Sequence, residues 1–196
     1  GQLAPVLRLP WNTIEDMSRG ILKLGELTGR QREAKRLSQD LADAMRQPDI
    51  SSAPRTLLLL GVPEERQAEL WFVKDNSMHG AALRAAGLRN ALPGEVRGAP
   101  VIALERLIAL DPDIILVMAP AMDPQGKERR RIQSFFKSIP ALRAAHQERV
   151  DLIAGSAYFG EGPTLIDLVT TIRERVTAMH LPPSSAELKN SKGVHP

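Results

Sequence analysis

The chain contains no cysteine. Disulfide scaffolding, thiol catalysis and sulfur-rich metal sites are therefore excluded whatever the fold. Aromatic residues are scarce: four phenylalanines, two tryptophans and one tyrosine make up 4% of 196 residues. A cleft walled by many stacked rings has little material to draw on. No stretch reaches the roughly 20 consecutive apolar residues of a membrane span. An excess of one charge is lacking as well, since 26 Lys and Arg nearly balance 23 Asp and Glu. The basic residues form no long stripe, so a nucleic-acid partner is not expected. Their densest cluster, 127–131, precedes the apolar helix face of Ile132, Phe135 and Phe136 and reads as a solvated first turn. No signal peptide stands in the sequence, but the chain opens at Gly1-Gln2 without a methionine, which points to residues upstream and leaves that absence uninformative.

What is present is enough for one sizeable α/β domain with an appendage: 43% of the residues are hydrophobic. An extended lead-in ends at Pro10-Trp11. Thr13 is a good helix N-cap, and Ile14, Met17, Ile21, Leu24 and Leu27 follow at helical spacing until Thr28-Gly29. A second helix from Arg30 carries only a thin stripe of Ala34, Leu37, Leu41 and Met45, so it should lie against a body without being embedded in it. After a linker at 48–54 the pattern alternates between strand and helix. Strands are predicted at 56–60, 70–73, 114–118 and 150–154. Helices are predicted at 77–86, 104–110 and 129–137, with a short one from Pro140 and a long one from Pro163 to about Met179. The tail from Leu181 has no period and is expected to trail.

This alternation predicts an α/β fold with a largely parallel sheet covered on both faces. Ligands should then meet the loops at the strand C-terminal ends, expected at 74–78, 119–126 and 155–162. Enzyme templates fail in turn. Gly155-Ser156-Ala157-Tyr158 lacks the second glycine of a nucleophile elbow, and Gly126-Lys127 is followed by Glu128 instead of a magnesium-binding hydroxyl. His79, His146, His180 and His195 share no ligand spacing, and Asp111 and Asp113 around Pro112 are explained by turn chemistry. No metal site and no cofactor is assigned. A small α/β enzyme using Asp75, His79 and Tyr158 is the competing reading, and it needs those side chains within hydrogen-bonding reach.

Several segments carry a likeness in the right order. One is Thr-Ile-Glu-Asp-Met from Thr13, continuing through Leu-Gly-Glu-Leu-Thr-Gly-Arg to Ala34. Another is Ile102-Ala-Leu-Glu-Arg-Leu-Ile-Ala-Leu-Asp-Pro-Asp-Ile-Ile-Leu-Val117, the most specific of them. A third is Tyr158-Phe-Gly-Glu-Gly-Pro-Thr164 before a long helix, and Gly80 to Asn90 lies between. Together they resemble class III periplasmic substrate-binding proteins, which carry siderophores, haem or cobalamin to ABC importers. The likeness covers about Pro10 to Met179.

The resemblance implies a three-layer Rossmann-like lobe with a mostly parallel sheet, preceded by a long interlobe helix. Residues 1–48 would be the end of an N-terminal lobe plus that helix, 49–180 the C-terminal lobe, and 181–196 a flexible tail. The N-terminal lobe would be missing. It also implies a ligand that is an iron chelate, a permease partner, a periplasmic or lipid-anchored location, and no catalysis.

Glu105, in Ala103-Leu-Glu-Arg-Leu107, matches the family's permease-docking carboxylate, although a helix N-terminus favours an acid in any case. Tyr158 and Phe159 would wall the cleft, with the Tyr158 hydroxyl offered to a chelate oxygen; core packing is the alternative, more so for Phe159. Trp71 has two readings, a ligand-facing ring or a residue simply buried in its strand. Asn76, Ser77 and Met78 open a helix that could meet an anionic chelate, against which Ser77 as a plain N-cap is the stronger single reading. Met122 could pack softly on a ligand or merely fill its loop. One departure stands out: the Trp-Gly that hydroxamate binders of this type often carry near the loop before the docking helix is replaced by Glu95-Val-Arg-Gly-Ala-Pro100.

Overall fold

The computed structural model describes residues 6–63, 69–96 and 98–179. The trailing segment expected from Leu181 and the first residues of the lead-in lie outside these. Helices α1 (Ile14–Thr28) and α2 (Gln31–Ala44) come first. The body follows as β1 (Arg55–Leu60), β2 (Glu69–Phe72), α3 (Met78–Ala85), β3 (Arg89–Asn90), β4 (Val101–Ala103), α4 (Leu104–Leu110), β5 (Ile114–Ala119), α5 (Lys127–Lys137), α6 (Arg143–His146), β6 (Val150–Ala154) and α7 (Leu165–Thr177).

The strands form one sheet in the order β4-β2-β1-β5-β6, with the short β3 also pairing with β1. All six residues of β5, the run Ile-Ile-Leu-Val-Met-Ala, are buried. An uninterrupted apolar run of this kind marks a central strand covered on both faces. The alternate residues Leu58, Met118 and Ile153 enter one core with α1, α2, α3 and α7. Leu57, Leu59, Val117 and Leu152 enter the other with α4, α5 and α6. The result is the expected three-layer α/β body.

Two features differ from the sequence reading. Strands β3 and β4 were not expected; at two and three residues they are too short to show a period of their own. Strand β2 runs antiparallel to both β1 and β4, so the sheet is mixed around a parallel β1-β5-β6 core. The loop at 74–78 therefore does not follow a strand that ends with β5 and β6. A parallel sheet would bring it to the ligand end; in the mixed sheet a hydrogen bond from His79, at the start of α3, to the loop after β6 does so.

Helices α1 and α2 form a hairpin turned by Gly29, whose φ of 72° suits a residue without a Cβ. Thr13 caps α1 by accepting the Asp16 N–H at 3.0 Å, and Asp16 itself pairs with Arg19. In α2, Ala34 and Leu41 are buried while the remaining faces are solvated, so the helix lies against the body along a narrow stripe, as its sequence predicts. The Asp111-Pro-Asp113 turn is structural. Asp113 accepts the Arg55 backbone N–H at 2.8 Å, and Arg143 reaches both acids, at 3.3 and 3.1 Å.

Candidate functional site

At one end of the sheet, β1, β5 and β6 finish together, at Leu60, Ala119 and Ala154. The register places Trp71 opposite Leu60, and Leu60 opposite Met118, which lies opposite Ile153. These side chains form one row on the same face. Its inner members are covered by helices, but Trp71, in the Glu-Leu-Trp-Phe strand, is 49% exposed. Its neighbours Leu70 and Phe72 turn the other way and are buried in the second core. The strand next to the sheet edge thus leaves its Trp71 ring facing outward at the rim.

The loop after β6 forms a 3-10 turn, Ser156–Phe159. Gly155 precedes it at φ 144°, a conformation that favours glycine. A Cβ there would lie 3.2 Å from the Tyr158 ring and 3.6 Å from Met122 Sδ. Met122 comes from the loop after β5, so Gly155 is where the two rim loops cross. Met122 is 73% exposed and Phe159 37%.

The sequence expectation for the two aromatics is reversed. Tyr158 is the packed residue, lying against the first core, and its hydroxyl is 3.1 Å from Thr171 Oγ1 on α7. That hydroxyl is turned into the body and not toward the open end. Phe159 is the one left facing solvent.

The loop at 74–78 reaches the rim through α3. Its Ser77 hydroxyl accepts the Gly80 N–H at 3.0 Å and donates to the Lys74 carbonyl at 2.7 Å, so the side chain is committed to capping. Met78 is only 6% exposed and belongs to the first core; its burial removes it from a ligand face. Asn76 is exposed. His79, one residue further, donates from Nε2 to the Tyr158 carbonyl at 2.7 Å, since a carbonyl can only accept. This bond brings the start of α3 to the loop after β6 despite the direction of β2. Neither the role of His79 nor that of Gly155 was anticipated. The only sequence hint was a glycine directly after a buried strand.

The arrangement does not assemble Asp75, His79 and Tyr158. Asp75 is paired with Arg84 at 2.6 Å, His79 meets only the backbone of Tyr158, and the Tyr158 hydroxyl goes to Thr171. Each polar group is already engaged, so no base faces a nucleophile. Among the described residues no group of three or more His, Asp or Glu is placed to hold a metal ion.

Glu105 is exposed in the first turn of α4. Because Ala103 pairs with Glu69 and Val101 with Trp71, α4 starts at the same end of the sheet as the rim loops, on its β4 edge. Asp123 closes the loop that carries Met122. Its two carboxylate oxygens accept the Arg129 N–H at 2.9 Å and the Glu128 N–H at 3.2 Å. Hydrogen bonding from the Arg129 backbone, foremost, holds its pKa below the usual carboxylate range.

The family model described as "Periplasmic binding protein" matches residues 4–153. No curated protein sequence matches the chain. Among solved structures, an ABC transporter substrate-binding protein from Listeria monocytogenes is 22% identical, with a TM-score of 0.65 over 85% of this chain and 66% of that one. A protein of an ABC-type Fe3+-hydroxamate transport system from Saccharomonospora viridis is 20% identical, with a TM-score of 0.61 over 84% and 56%. A periplasmic heme binding protein from Pseudomonas aeruginosa is 26% identical, with a TM-score of 0.63 over 83% and 59%. The chain thus spans between 56% and 66% of the length of these three structures. Matched over three quarters of its length by the family model, and sharing the fold of these transport proteins, the chain belongs to the periplasmic binding protein family.

Proposed function

We propose that this chain is the C-terminal lobe, with its leading helices, of a solute-binding protein that captures an iron chelate outside the cytoplasm and delivers it to the permease of an ABC importer. On this reading residues 1–48 lead out of an N-terminal lobe, 49–180 form the lobe itself, and the ligand lies between this rim and the partner lobe. The carrying observation is the end of the sheet where Trp71, Met122 and Phe159 stay exposed beside the strand termini. These three supply shape and apolar contact, and no catalytic step is required of them. Asn76, exposed just before α3, is the polar candidate for a ligand contact. Glu105, exposed at the same end, is the acid that would meet a basic permease surface; such charges steer encounter and register more than they set affinity.

A ferric siderophore is the first choice of ligand, in keeping with the Fe3+-hydroxamate relative. Haem is the second, favoured by the heme binding relative. Titration with a ferric trihydroxamate, with haem and with cobalamin, followed by tryptophan fluorescence, tests the reading. Saturable quenching that Trp71→Phe diminishes is the expected result. No saturable response to any of the three, in this chain or in the polypeptide that carries both lobes, would overturn it. Glu105→Arg should slow uptake in cells without changing chelate affinity.

A further inference from the structure

The β6 edge of the sheet is closed by side chains. Asp151 Oδ1 accepts the Leu152 backbone N–H at 2.8 Å, and Gln133 Nε2 donates to the Val150 carbonyl at 3.1 Å. Two of the outward backbone groups that an added strand would need are thus already engaged, which works against strand addition at this edge.

Above those groups, two arginines from opposite helical layers meet one acid. Arg129 of α5 places Nε 3.1 Å from Asp151 Oδ1, and Arg175 of α7 places Nε 3.9 Å from Asp151 Oδ2. Asp151 is 7% exposed. One buried carboxylate thus serves two guanidinium groups, and the buried Arg175 Nε has no hydrogen-bond acceptor. A buried donor in that state is costly unless something else satisfies it. The remaining nitrogens of both arginines make no hydrogen bond or ion pair with the described residues.

Both arginines line a cavity of about 380 Å³, together with Lys137, Gln133 and a small apolar floor that includes Ala145 and Met179. Glu148 is the other acid in its lining, so three cations face two acids. Asp151 pairs with Leu116, three residues below Ala119 at the rim, which is about 10 Å along the strand. The cavity is therefore separate from the rim described above.

We propose that this cavity is a second binding site, for a small oxyanion such as a carboxylate or phosphate group, gripped by Arg129 and Arg175 and bounded by Lys137. Guanidinium forks match the planar or tetrahedral oxygens of such groups, and an acid shared between them fixes their orientation in advance. The apolar floor leaves room for a short organic body behind the anionic head. A bound anion would brace α5 against α7 across the sheet edge.

The test is titration of the 15N-labelled chain with inorganic phosphate and, separately, with citrate at fixed ionic strength, following the arginine Nε–H resonances. Saturable shifts of Arg129 and Arg175 are expected for at least one probe, and which probe saturates assigns phosphate or carboxylate. R175Q should weaken binding about tenfold or more. K137Q, on an exposed helix position that tolerates change, should weaken it severalfold and keeps the test sharp if R175Q does not fold. Absence of saturation, shifts spread evenly over the 127–131 turn, or unchanged affinity in K137Q would overturn the site.

Discussion

His79 Nε2 donates to the Tyr158 carbonyl across 79 residues of sequence, at 2.7 Å. The bond fastens the start of α3 to the turn after β6. Replacing His79 with Ala leaves a half-buried carbonyl unpaired and should cost about 1 kcal/mol. Hydrogen exchange at 158–160 should quicken in the same variant. Tyr158→Phe removes only the bond to Thr171 and should cost a similar amount while leaving chelate affinity unchanged. Loss of affinity in Tyr158→Phe would mean that the hydroxyl serves the ligand after all.

Trp71 and Phe72 are neighbours on opposite faces of β2. Phe72 is 4% exposed and Trp71 49%. Phe72→Ala should lower stability by about 3–5 kcal/mol in chemical denaturation. Trp71→Ala should lower it by less than about 1 kcal/mol, yet abolish fluorescence reporting at the rim. Equal losses of stability would show that Trp71 is a core residue.

Gly80 sits where α3 passes closest to the loop before it. A Cβ there would meet the Lys74 and Asp75 carbonyl oxygens at 2.3 and 2.4 Å, and backbone cannot swing aside as a flexible side chain can. Gly80→Ala should cost about 2 kcal/mol or more. Gly94→Ala is the control: its φ is 89° but nothing lies within 4 Å of the new methyl, so about 1 kcal/mol of backbone strain is all that is expected. Urea midpoints of the two variants distinguish steric from conformational cost.

Asp123 gives a pH prediction with a definite sign. Its folded pKa lies below its ordinary value because backbone N–H groups, led by that of Arg129, favour the charged form. Its contribution to stability is therefore complete above the ordinary carboxylate pKa and fades as pH falls through the lowered folded value. Carboxyl NMR titration should place its midpoint below the usual carboxylate range. Asp123→Asn should flatten the acid limb of the stability curve, and an unchanged limb would remove the cap from the account.

The body was legible because burial on both faces leaves a plain trace: Ile114 to Met118 is apolar without a break, and α4 falls on the residues its period marks. The direction of β2 was not legible, since Leu-Trp-Phe reads alike in either orientation and only pairing with β1 and β4 fixes it. The rim was half legible. Loop positions follow from strand ends, but which of Tyr158 and Phe159 faces outward depends on Thr171, thirteen residues away on α7. Met78 was misplaced for a similar reason: helix starts are visible in sequence, whereas the face they bury is set by the sheet beneath.

Helices α1 and α2 share their core with α3, α7 and one face of the sheet, through Met17, Ile21, Leu41, Leu168 and Ile172. Joined in this way, they cannot act as a loose tether. A push on the outer end of α1 is carried into the block as a whole, like force on a handle fixed to a lid.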